Sequence, residues 1–386
     1  MTAGSPGDGS RLARLRALSR LPLWVAPMAG GPTTPELVTA AAQAGAFAFL
    51  AAGYLTAGAL QAAMAAVRGP SRGLFGVNVF VPGSRTSGPE VAEYVASLAP
   101  DAARLGVSPG EPAWDDDHWP GKISALLADP PPVVSFTFGC PPADTIAALQ
   151  DRGTLVAVTV TSAGEAALAA GAGADCLCVQ GPEAGAHRGT FASQVPTGGG
   201  PGPAGGEAAG QDSPGGGGAG GRGAAGGGAA PDEPGPRLPQ LLAQVTAVTG
   251  LPLVAAGGLA GADGVAEVLA AGAAAAMLGT AFLRCPESGA RPAHKAALTD
   301  PRFTATGVTR AFSGRAARGL VNQFMRDHPA APAAYPEINN ATRPLRAAAA
   351  AKGDADRLSL WAGTGFRSAA DRPAGEIIAA LARGTR

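Results

Sequence analysis

The chain has 386 residues, and its 29 Lys+Arg balance 29 Asp+Glu to a formal net charge of zero. That excludes nucleic acid as a bulk electrostatic partner, while leaving a local phosphate pocket open. Hydrophobic residues make up 46% of the chain but aromatics only 5%, enough for a sizeable core built from Ala, Val and Leu.

Residues 1–20 carry basic side chains with no apolar stretch behind them, so no signal peptide is expected and this segment reads as flexible. Eight short, mostly continuous apolar runs follow, at residues 23–26, 46–51, 74–81, 133–138, 155–160, 176–180, 251–255 and 274–278. Parallel strands buried on both faces have this character. Ala-rich helical stretches lie between them, at 35–44, 57–67, 142–150, 162–170, 239–249 and 262–270. Thr34 before Pro35-Glu36 is a helix start with Pro at the first helical position. Gly45, Gly153, Gly171, Gly250 and Gly272 stand at helix ends. Eight such units predict an α/β protein folded as a (β/α)8 barrel, with an open doubly wound sheet as the alternative.

Two gaps between runs are long. Residues 82–132, with Tyr94, Trp114 and Trp119, predict helices over one end of the barrel. Residues 196–236 hold 18 Gly in 41 positions and no Val, Leu, Ile, Phe, Tyr or Trp. Such a segment has no apolar surface to bury, and is expected to be a flexible loop inserted within the domain. Residues 290–386 read as a helical C-terminal cap, so 21–386 form one barrel domain. The longest Ala-rich stretch, 265–283, is interrupted by Gly272 and Gly279, too short for a membrane span. Four scattered cysteines, Cys140, Cys176, Cys178 and Cys285, do not make a disulfide scaffold or a metal site. A soluble cytoplasmic protein with no membrane or nucleic-acid partner is expected.

In a barrel, chemistry sits on the loops after the strands. Gly257-Gly258 follows the seventh run, and Met277-Leu278-Gly279-Thr280 closes the eighth. Either pair alone fits a tight turn. Together, in the loops where barrels hold phosphate, they favour an anion site. His187, in Gly185-Ala186-His187-Arg188-Gly189, is the one histidine in a strand-end motif. It suits either a general base or a hydrogen-bonder holding the loop. His118, His294 and His328 lie in polar contexts and are expected at the surface. Asn78 and Gln180 sit on apolar strands, where a buried amide must bond either backbone or a polar heterocycle in the barrel mouth. Glu183 and Arg188 read as loop salt-bridge partners, and Cys176 and Cys178 as small buried hydrophobes.

Several blocks resemble one known family. They are Ala26-Pro27-Met28-Ala29-Gly30-Gly31 with Thr34-Pro35-Glu36-Leu37, Phe75-Gly76-Val77-Asn78-Val79-Phe80-Val81-Pro82, and Gln180 through Phe191. Gly279-Thr280-Ala281-Phe282-Leu283 with Cys285-Pro286-Glu287-Ser288-Gly289 is a fourth. Thr309-Arg310-Ala311-Phe312-Ser313-Gly314-Arg315 and Ser359-Leu360-Trp361-Ala362-Gly363 are the last two. Together they resemble the nitronate monooxygenases, formerly called 2-nitropropane dioxygenases, over nearly the whole chain outside residues 1–20 and the Gly-rich insert.

The resemblance implies an FMN-dependent barrel enzyme that oxidises alkyl nitronates with O2 to a carbonyl compound and nitrite. It implies flavin contacts from Met28, Asn78, Gln180, Gly185, Gly258, Met277, Leu278, Gly279 and Thr280, with His187 as the catalytic histidine. Tyr335 and Trp361 are candidates for the substrate pocket. The chain departs from the family at Ala186, where Gly-Gly-His is usual. Two alternatives stand: a flavin reductase using reduced nicotinamide on a quinone or enoyl thioester, and a flavin-binding accessory protein without turnover.

Overall fold

The computed structural model describes residues 8–191 and 235–385. Eight parallel strands close into a barrel: β1 (Leu23–Val25), β2 (Phe47–Ala51), β3 (Gly76–Phe80), β4 (Val133–Thr137), β5 (Leu155–Val160) and β6 (Cys176–Gln180) come first. The chain then leaves the barrel through β7 (Ala186–His187) and returns as β8 (Leu253–Ala256) and β9 (Ala275–Leu278), which pairs with β1. The barrel strands match the predicted runs to within two residues at either end. Closure rather than an open sheet is settled by the β1–β9 pairing, Trp24 opposite Met277.

The few aromatics are concentrated where they fill most. Trp24, Phe47 and Phe49 meet at ring distances of 5.1–5.4 Å inside the barrel, among Cys176, Cys178, Val254 and Met277. Phe49 fits because β3 starts with Gly76, where a Cβ would lie 2.4 Å from its ring. The outer faces of the strands pack under the helices through Val, Leu and Ala, each Val or Leu contributing about 1.5–3 kcal/mol by burial and each Ala less. Thr34 accepts from the Leu37 amide and donates to the Glu287 carbonyl at 2.6 Å, so one side chain both caps a helix and ties it to the loop after β9.

Three expectations are corrected. First, the N-terminus is ordered from residue 8. Helix Asp8–Arg16 and the turn after it bring Leu15 and Leu18 into one core cluster with Val133, Leu155 and Cys176, the first residues of β4, β5 and β6, and Arg14 donates to the Gly153 carbonyl. Second, the C-terminal region is not wholly helical. β10 (Thr306–Thr309) and β11 (Ala317–Leu320) form an antiparallel pair, and β11 pairs in turn with β7. Third, the 82–132 segment divides. Helices Pro89–Ser97 and Ala99–Leu105 pack with Glu337–Ala351 in a second core, whereas Trp119–Ala128 is an ordinary barrel helix packed on Ala57–Arg68. His328, expected at the surface, is buried in that second core, 2.8 Å from an Asp101 carboxylate that also binds Arg357 at 2.6 Å.

The expected flexible insert lies outside the described residues, apart from Gly235 and Pro236. Among the described residues no helix is long and apolar enough to cross a membrane. The four cysteines are buried and none is disulfide-bonded.

If the N-terminal helix is part of the fold, Leu15→Ala should destabilise the protein by about 2 kcal/mol in urea unfolding. A flexible segment would give no change.

Candidate functional site

The C-terminal ends of the barrel strands open into a cavity of about 300 Å³, roofed by the C-terminal half of the chain. The ten residues named for flavin contact and catalysis line it, as does Trp361, whereas Tyr335 does not. Met28 comes from the loop after β1, Asn78 from β3, and Gln180, Gly185 and His187 from β6, the following loop and β7. Gly258 follows β8, while Met277, Leu278, Gly279 and Thr280 come from β9 and the turn after it.

Different constraints hold these residues. The Met28 amide donates to Thr33 Oγ1 at 2.9 Å, closing the loop after β1. Asn78 Nδ2 donates to Ser135 Oγ and Thr137 Oγ1 at 2.9 and 3.0 Å, cross-linking β3 and β4. Gln180 bonds backbone at both ends, with Nε2 to the His187 carbonyl and Oε1 from the Gly189 amide, at 3.0 and 2.8 Å. Its amide therefore holds the histidine loop.

A Cβ on Gly185 would lie 2.5 Å from the Gly363 nitrogen, so two backbones meet there. Gly258 has φ +69°, and its Cβ would strike the Glu183 side chain at 2.7 Å. Gly279 differs: φ is −112°, and a Cβ would meet only ordinary contacts with Ala26 and Met28 at 3.4–3.6 Å. The protein itself does not require glycine at 279.

His187 pairs with Ala317 across β7 and β11. Its Nε2 lies 2.8 Å from Ser313 Oγ, which is also 3.2 Å from the Arg315 carbonyl. The tautomer follows from which of these the serine hydroxyl donates to. The ring packs among Phe138, Tyr335 and Trp361 at 5.4–5.8 Å, so both aromatics predicted for the pocket stand beside it. Arg315 lies 4.0 Å over the Phe138 ring and donates to the carbonyls of Arg188 and Thr190. Burial, reinforced by the Arg315 and Arg346 cations, pushes His187 down to about 3. The ring is neutral at pH 7.

Ala186 adopts φ +63°, a left-handed conformation that costs a side-chain-bearing residue about 1–2 kcal/mol. Glycine would adopt it freely. The register of Ala186 opposite Arg318 is kept despite the methyl.

His294, expected at the surface, is buried on the cavity wall, and its Nε2 has no hydrogen-bond partner. Burial pushes it down to about 4, opposed by a backbone hydrogen bond at Trp361. Glu183 is a loop salt-bridge partner, 3.2 Å from Arg237, and Arg188 reaches the Gly181 carbonyl at 2.5 Å. Sequence reasoning missed Tyr54, Phe138 and Arg346 on the wall, and the role of Ser313 beside His187. Ser313 lay inside a quoted motif. Nothing in the local pattern marked the others. No Asp or Glu lines the cavity among the described residues, and no cluster there is placed to hold a metal.

A family model described as nitronate monooxygenase matches residues 14–199 and 216–384. A nitronate monooxygenase of Pseudomonas aeruginosa is 36% identical over 96% of this chain and 97% of its own. A probable nitronate monooxygenase of Bacillus subtilis is 32% identical over 90% of each. Among solved structures, nitroalkane oxidase from Streptomyces ansochromogenes superposes with a TM-score of 0.84 at 44% identity, covering 96% of this chain and 98% of that one. FabK from Thermotoga maritima shares the fold, with a TM-score of 0.63 at 23% identity over 96% and 95%.

His294 is neutral when folded and takes up a proton on unfolding between about pH 6.5 and 4. Its contribution is present above 6.5 and lost as pH falls through 4, on the order of 3 kcal/mol in all. Urea unfolding across this range should show a flatter acid limb for His294→Gln. An unchanged limb would place that proton uptake elsewhere.

Proposed function

The chain belongs to the nitronate monooxygenase family of oxidoreductases, and on that premise we propose that it binds FMN and oxidises alkyl nitronates with O2 to a carbonyl compound and nitrite. The observation that carries the reading is the meeting, in one cavity, of a neutral histidine with glycine loops after β8 and β9.

The residues fit a flavin. Gly279 is bare backbone that the protein's own packing does not require, beside the cavity where barrels hold phosphate. Gly258, Gly279 and Thr280 would hold the phosphate end, and Met28, Asn78, Gln180, Gly185, Met277 and Leu278 the remainder. The chemistry a bound flavin supplies is electron transfer between the nitronate and O2.

The chain's own residues orient the substrate and manage its proton. Phe138, Tyr335 and Trp361 surround His187 with apolar surface and limit water there. With a neutral nitroalkane, the α-C–H bond breaks and its proton goes to His187. The electron pair forms a C=N bond and charge moves to the nitro oxygens. A histidine lowered to about 3 is a weak base for this step. Preformed nitronate, whose proton is already gone, suits the site better.

His187→Ala should keep its flavin and lose about 10²–10⁴-fold in kcat/KM on neutral nitroalkane, with a smaller loss on nitronate. Equal losses would argue against proton transfer. Gly279→Val should fold normally and purify without flavin; full occupancy would sink the phosphate assignment. Anaerobic mixing with propyl-2-nitronate should bleach the wild-type flavin, with nitrite appearing on admission of air. Bleaching by reduced nicotinamide alone would move the protein to the reductase reading.

A further inference from the structure

We propose that Arg346 receives the two oxygens of the substrate's nitronate group and so acts as its specificity-determining contact. This rests on the functional reading above and extends it to a residue on the roof of the cavity. Arg346 lies on helix Glu337–Ala351, two turns beyond Asn339 and on the same face. Its Nη2 donates to the Asn339 carbonyl and to Asn339 Oδ1, both at 2.8 Å. These two bonds fix the guanidinium plane. The Nε–H stays buried without a partner, and no carboxylate within ion-pair distance of Arg346 is present among the described residues.

A buried N–H and a cation without counter-charge are costly and call for an occupant. The cavity offers no internal one: its charged side chains among the described residues are Arg291, which is exposed, and Arg346. An anion would supply both the missing acceptor and the missing counter-charge. The cofactor phosphate does not meet the need, because its loops after β8 and β9 lie against Glu183 and Gly363. Arg346 belongs instead to the side of Asn339, Tyr335 and Tyr54, and its charge reaches His187.

A nitronate has the shape and charge of a carboxylate, planar with the negative charge shared by two oxygens. With Nη2 held on Asn339, the free Nε–H and the delocalised planar charge of the guanidinium remain to meet such a group, which a lysine ammonium does not reproduce. When a neutral nitroalkane is the substrate, negative charge grows on the same oxygens as the α-proton leaves for His187. Arg346 then stabilises charge where it develops.

The test uses the flavin-loaded protein, with Arg346→Gln and Arg346→Lys as variants. Nitrate, an unreactive planar anion, is titrated by calorimetry, and anaerobic flavin reduction by propyl-2-nitronate is followed separately. Flavin content and melting temperature are measured for each variant. The expected result is a nitrate Kd and an apparent nitronate Kd for flavin reduction each raised about tenfold or more in Arg346→Gln, with flavin content unchanged. Arg346→Lys should fall between, since it keeps charge but loses the Nε–H held in place by the Asn339 bonds. Values within about twofold of wild type for both anions would overturn the inference. Loss of flavin in both variants would also overturn it, by making Arg346 a cofactor contact. If nitronate fails to reduce even the wild-type flavin, the functional reading fails. The nitrate titration then still decides whether Arg346 holds a planar anion.

Discussion

The antiparallel pairing of β7 with β11, His187 opposite Ala317, is the contact on which the rest of the site depends. The barrel strands satisfy one another's backbone groups in a closed ring, but the chain that follows β6 must leave that ring to put a histidine above the cavity. Its stranded carbonyls and amides need partners. β11 supplies the ladder, and Gln180 takes both the His187 carbonyl and the Gly189 amide. Arginines take what is left: Arg318 donates to the Pro182 carbonyl, Arg188 to Gly181, and Arg315 to Arg188 and Thr190. The charged residues of this loop and hairpin are in large part backbone hydrogen-bond donors. The site is thus made in two halves, a barrel floor and a C-terminal roof, joined through one short strand.

The joint is tight because three segments meet backbone to backbone. Gly185 packs on the Ala362-Gly363 backbone, Gly363 on the Glu183 carbonyl, and Gly319 on Leu360. The Gly363 amide donates to Thr280 Oγ1 and the Thr364 amide to the Glu183 carbonyl. Trp361 stands beside His187 because the segment carrying it, bridged to Gly319, can approach this closely. Close approach at Gly319, where a Cβ would lie 3.0 Å from the Trp361 ring, therefore helps to position that aromatic side chain.

Much of this was legible in the sequence. The barrel strands are continuous apolar runs, since both faces are buried, and glycine pairs after the last two strands marked two loops that line the cavity. His187 stood out through its flanking glycines. What escaped was set by tertiary packing. His294 sits between Arg291 and Lys295 on the short helix Pro292–Ala297, and its local sequence reads as polar surface. It is buried because Trp361 and the cavity wall cover it. β10 and β11, Thr-Gly-Val-Thr and Ala-Arg-Gly-Leu, lack an apolar alternation, although every residue of β11 is buried and Leu320 lies in the second core. Tyr54, Phe138 and Ala186 adopt φ of +68°, +81° and +63°, which no propensity for these residue types foretells.

The electrostatics of the finished cavity point in a single direction. Two features that look unfavourable separately, a histidine with little proton affinity and a buried guanidinium without a carboxylate, share one remedy. An anion between them cancels the field of Arg346 that helps hold His187 near 3. Binding that neutralises this field must raise the proton affinity of the ring, and by reciprocity a proton on the ring must tighten the anion. Without an anion the site has almost no capacity to hold a proton at pH 7. With one it gains some, in the complex where a proton must be moved. A carboxylate on the cavity wall would satisfy Arg346 permanently and remove that coupling, which gives its absence among the described residues a physical sense.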